Sequence, residues 1–289
     1  MAAPAAPAAA PAARTIRPDA GALAVELQAA RLAQRTLSPL SERPGGLEER
    51  DAYAVQDAGI RLREDAGERL IGGKLGFTSA AMREAMGVAS PNFGWLTDAM
   101  LVRVSNGWGC LDLRRLIHPK AEVELGFVLG EDLGGPDAPP VTAADVQAAT
   151  RAWVPVIELV DSRFTDYRFA SVDNIADNSS AARLVVGEPV SQSEVGEIDL
   201  RLMGCVLTVD GDVADTATGA AVDPDPASAV AWMVNACGRV LPAGSLIISG
   251  SMTRPVDVHP GAEIVAELEH IGCVALQIAD ADHPQQCDD

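Results

Sequence analysis

The stretch Ala121-Glu122-Val123-Glu124-Leu125-Gly126-Phe127-Val128-Leu129 decides how this chain folds. It is apolar and strand-like, yet it carries two glutamates two residues apart. Side chains alternate faces along a strand, so Glu122 and Glu124 share one face while Val123, Leu125 and Phe127 take the other, toward a core. Two carboxylates side by side on an apolar strand repel each other and lose solvation. A hard divalent cation held by oxygen atoms is the simplest group to place between them. A third glutamate, Glu158, interrupts a second apolar run, Val154-Pro155-Val156-Ile157-Glu158-Leu159-Val160. The pattern predicts a metal-dependent enzyme.

Working outward, the flanks divide into a helical N-terminal region over 18–95 and a strand-rich region over 96–280. Amphipathic spacing predicts helices over 19–35 and 47–65. A glycine-rich strand, 70–78, follows, then a short helix capped by Ser79 and a loop over 87–94. Thr142 caps a helix expected to end near Trp153, and 227–240 reads as another. Strands are expected at 154–160, 180–187, 201–209, 244–250, 255–258, 262–269 and 271–278. This is an α+β pattern with a mixed or antiparallel sheet that closes or rolls.

Composition limits the function. The chain has 289 residues with a formal charge of −19, which argues against nucleic acid or an anionic membrane as partner, since those surfaces demand a basic patch. No apolar run reaches the ~18–20 residues needed to span a bilayer. Residues 1–17, Ala/Pro-rich and without a basic leader, are expected to be a disordered extension, and 281–289 a polar tail. The five cysteines are dispersed and contain no CxxC pair. That suits a reduced cytoplasm, with no disulfide framework or zinc cluster expected and Cys287 the exposed thiol. His118, His259, His270 and His283 have neither metal nor triad spacing and read as structural or surface residues.

Several motifs in order resemble the fumarylacetoacetate hydrolase superfamily, in the branch of 4-oxalocrotonate decarboxylases and 2-hydroxypentadienoate hydratases. They are Asp51-Ala52-Tyr53-Ala54-Val55-Gln56, Gly73 to Ser79, Phe93 to Met100, His118 to Glu124, Ile157 to Arg163, Ala176-Asp177-Asn178-Ser179-Ser180, and Leu241 to Gly244 running into Ser249-Gly250-Ser251. The resemblance implies a mixed β-roll with the N-terminal helices packed on it. It implies Mg²⁺ or Mn²⁺ held by Glu122, Glu124 and Glu158, in agreement with the strand argument. Lys74 takes the position of a catalytic or substrate-orienting lysine, and Gly76 and Thr78 beside it are expected to contact substrate. Lys120 either shares this work or pairs with a neighbouring carboxylate. Asp177, Asn178 and Ser179 are either a functional loop over the metal or an Asx turn. Arg163 either binds a substrate carboxylate or forms a structural ion pair. The backbone around Ser251 either holds an anionic group or is a plain turn.

The resemblance also implies enolate chemistry on a small 2-oxo acid. A decarboxylase of this branch takes a 2-oxo-3-enedioate to a 2-hydroxydienoate through a metal-stabilised dienolate; a hydratase adds water to the dienoate. His118-Pro119-Lys120, Trp95-Leu96-Thr97-Asp98, Asp161-Ser162-Arg163-Phe164 and Asp166-Tyr167-Arg168-Phe169 look more like the decarboxylases. Hydratases more often show Pro-Asp-Phe-Gly where this chain has Pro91-Asn92-Phe93-Gly94. Decarboxylation is therefore the expectation, hydration the alternative, and a non-catalytic partner subunit a third reading, which the intact Glu122, Glu124, Glu158 and Lys74 set opposes. The family forms homo-oligomers, and its pathway enzymes can associate. Gly73 and Leu75 depart from the usual Trp and Val, which bears on substrate shape.

Overall fold

Leu125 and Phe127 face the same interior as Ile157 and Leu159, because the two glutamate-bearing runs lie antiparallel side by side. The structure is a computed structural model and describes residues 18–280 and residue 287. Its strands are β1 Leu70–Gly76, β2 Asn92–Thr97, β3 Val104–Ser105, β4 Trp108–Leu111, β5 Lys120–Leu129, β6 Leu133–Gly134, β7 Thr150–Val160, β8 Ala181–Val186, β9 Val190–Ser191, β10 Gly204–Val209, β11 Asp212–Thr218, β12 Val240–Leu241, β13 Leu246–Ile248, β14 Val256–Asp257, β15 Glu263–Leu268 and β16 Gly272–Ile278. Its helices are α1 Ala20–Leu32, α2 Glu49–Asp65, α3 Ala80–Met86, α4 Ala143–Ala149, α5 Ser171–Ala176, α6 Gln192–Val195 and α7 Pro226–Cys237.

One sheet runs β2-β1-β13-β5-β7-β8, with β14 on β5 and β9 on β7; a second runs β11-β10-β15-β16-β4-β3. Both are mixed, since β1 lies parallel to β13 and β16 parallel to β4. Val123, Leu125 and Phe127 join Ile264, Ala266 and Leu276 of the second sheet in one buried core. The opposite face of the first sheet packs Val154, Val156 and Ile248 against Leu96, Met100 and Leu184. Helices α1 and α2 close over Phe164, Ile175 and Ala176 through Ala24, Leu27, Ala52 and Val55. The α+β roll with packed N-terminal helices is thus present. Among the described residues no helix is long and apolar enough to cross a membrane.

Three expectations are corrected. The helix after Thr142 stops at Ala149, and Thr150–Trp153 is already strand, paired through Thr150↔Leu129 and Trp153↔Phe127. β-branched and aromatic residues gain more from that half-buried ladder than from another helical turn. Asn92–Gly94 is strand rather than loop, paired with Leu75, Lys74 and Gly76 of β1. Finally, Cys110 is disulfide-bonded to Cys287 across 177 residues, and Cys273 is the exposed free thiol. Strand β16 sets Gln277 opposite Cys110, so the chain leaving that strand begins beside Cys110, a proximity that sequence spacing conceals. The expected extension 1–17 and His283 lie outside the described residues.

Candidate metal centre and its cavity

The register of β5 on β7 creates the site. Glu122 stands directly opposite Glu158, and Glu124 lies two residues along on the same face. Like charges directly opposed across strands destabilise a sheet, so the arrangement calls for a counter-charge. One oxygen from each of Glu122, Glu124 and Glu158 falls within 4.8 Å of the others. Lys74 enters from β1, its Nζ 2.8 Å from Glu158 Oε2 and donating to the Ser179 carbonyl at 3.1 Å. Lys74, Glu124 and Glu158 are buried and Glu122 half-buried.

Three carboxylates face one ammonium. Burial pushes the Glu122 carboxyl up to about 7, with Lys74 opposing and Glu158 reinforcing the shift. Burial, and next the Glu158 charge, raise Glu124 well above the carboxylate range. For Lys74 burial works downward, but Glu158, Glu124 and Glu122 outweigh it and hold the ammonium charged. Glu124 Oε1 and Glu158 Oε1 are buried without any hydrogen-bond partner. Such orphaned acceptors cost about 1–3 kcal/mol each or more when charged. An all-oxygen donor set with unpaired buried oxygens and surplus negative charge fits a hard divalent cation, and leaves open positions for ligands.

The neighbouring backbone is shaped around this cluster. Gly250 donates its N–H to Glu124 Oε2 at 2.7 Å. It sits at φ +92°, and a Cβ there would lie 2.2 Å from Thr78 Oγ1, so only glycine serves. Asn178, Ser179 and Ser180 all have left-handed φ (52°, 52° and 57°), a strained run for side-chain-bearing residues. It is held by side chains: Asn178 bonds both the N–H and C=O of Trp95 at 2.8 Å, Ser179 Oγ donates to Asn92 Oδ1, and Asn174 donates to Ser180 Oγ. That run delivers the Ser179 carbonyl to Lys74. A Cβ on Gly76 would strike Asn92 Oδ1 and Ser179 Oγ at 2.4 and 2.5 Å, which explains the glycine there.

A cavity of about 520 Å³ opens over the cluster. Of the expected residues, Lys74, Gly76, Thr78, Lys120, Glu122, Ser179 and Ser251 line it, with Glu124 and Glu158 buried beneath. Lys120 pairs with Asp257 and lies over the Tyr167 ring at 5.6 Å from its centroid. Ser251 spends its hydroxyl on the Thr253 carbonyl at 2.6 Å. Arg163, Asp177 and Asn178 do not line this cavity. Arg163 and Asp177 are buried and ion-paired to each other, and all three border a separate small cavity against α1 and α2. His118 is structural, its Nε2 meeting the Ser162 carbonyl at 2.7 Å and its ring packing on Tyr167.

Tyr167, Phe169, Asn174, Asp215 and Arg254 also line the cavity and were not singled out from sequence. Tyr167 and Phe169 lie in the quoted decarboxylase-like stretch, which was the available signal. Tyr167 donates its hydroxyl to the Val160 carbonyl at 3.0 Å, and burial pushes its pKa up, so it is no base.

Comparison with known proteins agrees with the geometry. Residues 108–279 match the fumarylacetoacetate (FAA) hydrolase C-terminal family. The chain is 36% identical over 250 residues to 2-hydroxyhexa-2,4-dienoate hydratase of Comamonas testosteroni, covering 85% of this chain and 92% of that one. It is 37% identical over 230 residues to 4-oxalocrotonate decarboxylase of Pseudomonas sp. strain CF600, covering 78% and 84%. The structure of 4-oxalocrotonate decarboxylase from Pseudomonas putida G7, complexed with magnesium and adipate, superposes with a TM-score of 0.82 at 33% identity, covering 90% of this chain and 97% of that one. This chain therefore belongs to the fumarylacetoacetate hydrolase superfamily, in the branch that holds 4-oxalocrotonate decarboxylases and 2-hydroxypentadienoate hydratases.

Proposed function

We propose that the protein is a Mg²⁺- or Mn²⁺-dependent lyase that decarboxylates a 2-oxo-3-enedioate to a 2-hydroxydienoate. The observation that carries the reading is the Glu122, Glu124 and Glu158 cluster facing Lys74 at the floor of a cavity sized for a small acid. Held by these three glutamates, the cation would supply a Lewis acid for the carboxylate and keto oxygens of the 2-oxo acid. Lys74 has three N–H donors. The Ser179 carbonyl takes one of them and Glu158 Oε2 lies 2.8 Å away as an ion-pair partner, so N–H capacity remains for substrate. Its fixed positive charge opposes the negative charge that develops on the keto oxygen as the distal C–C bond breaks. That bond's electron pair moves through the alkene to the keto oxygen, CO₂ departs, and protonation of the oxygen gives the hydroxydienoate.

Decarboxylation needs no activated water, and this favours it over hydration. No histidine lines the cavity among the described residues. Apart from Glu122, the lining carboxylate is Asp215, which is bonded to Arg254. Asn92 stands where a hydratase more often has aspartate, and its amide nitrogen donates to Asn174 Oδ1 at 2.8 Å, a bond an ionised aspartate could not make. The hydratase reading is supported by the similarity to the Comamonas testosteroni enzyme.

Purified protein with Mg²⁺ should consume 2-oxo-3-hexenedioate and release one CO₂ per dienoate formed, followed by ultraviolet absorbance and CO₂ capture. A chelator should abolish turnover. Hydration of 2-hydroxypentadienoate with the enedioate left untouched would reverse the choice between the two lyases. Turnover that persists after metal removal would end the metal reading.

A further inference from the structure

We infer that Arg254, held in place by Asp215, is the residue that recognises the far carboxylate of a dianionic substrate. The inference rests on the 2-oxo acid reading above and adds how the site tells a dicarboxylate from a monocarboxylate.

The register of the strand that carries the cluster places this arginine. Met252 donates its N–H to the Val123 carbonyl at 2.9 Å, and Val256 pairs with Ala121. Arg254 lies between these two anchors, alongside Glu122, and lines the same cavity. It comes to that wall already oriented. Its backbone N–H and its Nε both donate to Asp215 Oδ2, at 3.0 and 3.2 Å. Asp215 is itself fixed on β11, its other oxygen accepting from Thr216 N at 3.0 Å. The two Nη groups make no hydrogen bond to the described residues, which leaves a two-pronged donor edge that matches a carboxylate.

The geometry inside the cavity orders the substrate. The Lys120, Glu122, Glu124 face of β5 runs from the half-buried rim to the fully buried floor. A 2-oxo acid whose keto and carboxylate oxygens lie at the cluster therefore directs its far end outward, toward the rim. Lys74, Lys120 and Arg254 are the cations lining the cavity. Lys74 is committed at the floor; Lys120 pairs with Asp257 and lies over the Tyr167 ring but keeps further N–H donors, and is the competing cation that the Lys120→Met variant tests. Arg254 offers the open donor edge. Its side chain is 81% exposed, so the Asp215 pair is weak enough to share charge with an incoming anion.

The test compares two unreactive acids of equal length, 2-oxoadipate and 2-oxohexanoate, which differ only in the far carboxylate. Calorimetric titration in Mg²⁺ should show wild-type protein preferring 2-oxoadipate by about tenfold. Arg254→Met should erase that ratio by weakening 2-oxoadipate while leaving 2-oxohexanoate unchanged. Lys120→Met should preserve the ratio. The arginine inference is overturned if Arg254→Met keeps the preference, if Lys120→Met removes it instead, or if wild type binds both acids equally. Wild type that binds neither acid with Mg²⁺ present overturns the 2-oxo acid reading as well. Arg254 is a surface residue, so a matching melting temperature confirms that the variant is folded.

Discussion

Two groups of charges lie deep in this protein, and they are built on opposite principles. Around Arg163 everything is paired. Its Nε reaches Asp177 Oδ1, its backbone N–H donates to Asp177 Oδ2 at 2.9 Å, and its Nη groups meet the carbonyls of Asp161 and Asp177, each at 2.6 Å. The Asp161 carboxylate in turn accepts from Ile117 and His118. Around Lys74, three carboxylates share one ammonium, and of the three buried oxygens without a hydrogen bond only Glu158 Oε2 has an ion-pair partner. Burial is similar in the two places. What differs is completeness, and an incomplete buried cluster is a binding site whereas a complete one is a brace.

Breaking the incomplete cluster should affect function and spare the fold. Glu124→Gln removes one of the three clustered carboxylates while keeping an acceptor for the Gly250 N–H. We expect kcat/KM to fall by about a thousandfold or more, the loss of several kcal/mol of charge stabilisation. The metal-free melting temperature should hold or rise, because one of three mutually repelling buried carboxylates is gone. A large drop in metal-free stability would show the cluster to be a structural brace as well.

The complete pair should behave in the reverse way. Arg163→Met leaves Asp177 buried and unpaired, which costs about 3–5 kcal/mol. Urea unfolding should shift to a much lower midpoint, while the protein that remains folded still binds Mg²⁺. Variant protein of unchanged stability but lost turnover would move Arg163 and Asp177 from support to chemistry.

The same contrast explains what the sequence revealed. Glu122, Glu124 and Glu158 were legible because an acid in an apolar strand breaks the hydrophobic pattern, and few things but a ligand justify it. For Arg163 the sequence left open a substrate carboxylate or a structural ion pair, and for Asp177 a loop over the metal or an Asx turn; that the two pair with each other was not legible, since the contact spans 14 residues and depends on the turn at 178–180. Asp215 and Arg254 gave no signal at all, because β11 is an exposed, polar edge strand and its approach to the cavity is purely tertiary. Local pattern also misled at Thr150–Trp153, where the helix opened by the Thr142 cap was expected to run on into residues that the non-local ladder with β5 claims.

The smallest expected effect is a matter of protons, and it separates the two clusters by sign. With Glu122 raised to about 7, metal must displace a proton from it below neutrality. Mg²⁺ affinity should therefore fall at least about tenfold from pH 8 to pH 6, with at least about one proton released per ion bound near pH 6 and more if Glu124, also raised by burial, gives up its own, read by calorimetry in buffers of different ionisation enthalpy. Asp177 is pushed up to about 6 by burial, against the pull of Arg163. Its unfolded form loses the proton near about 4, so between those values the folded state holds more protons and this group's contribution to stability declines as pH rises, levelling off above about 6. From pH 7 to 8 the metal affinity should still climb while Asp177 adds almost no slope to the stability. An affinity that stays flat across pH 6 to 8 would mean that Glu122 is ionised throughout and that Lys74 offsets its burial far more effectively than the crowding of three carboxylates implies.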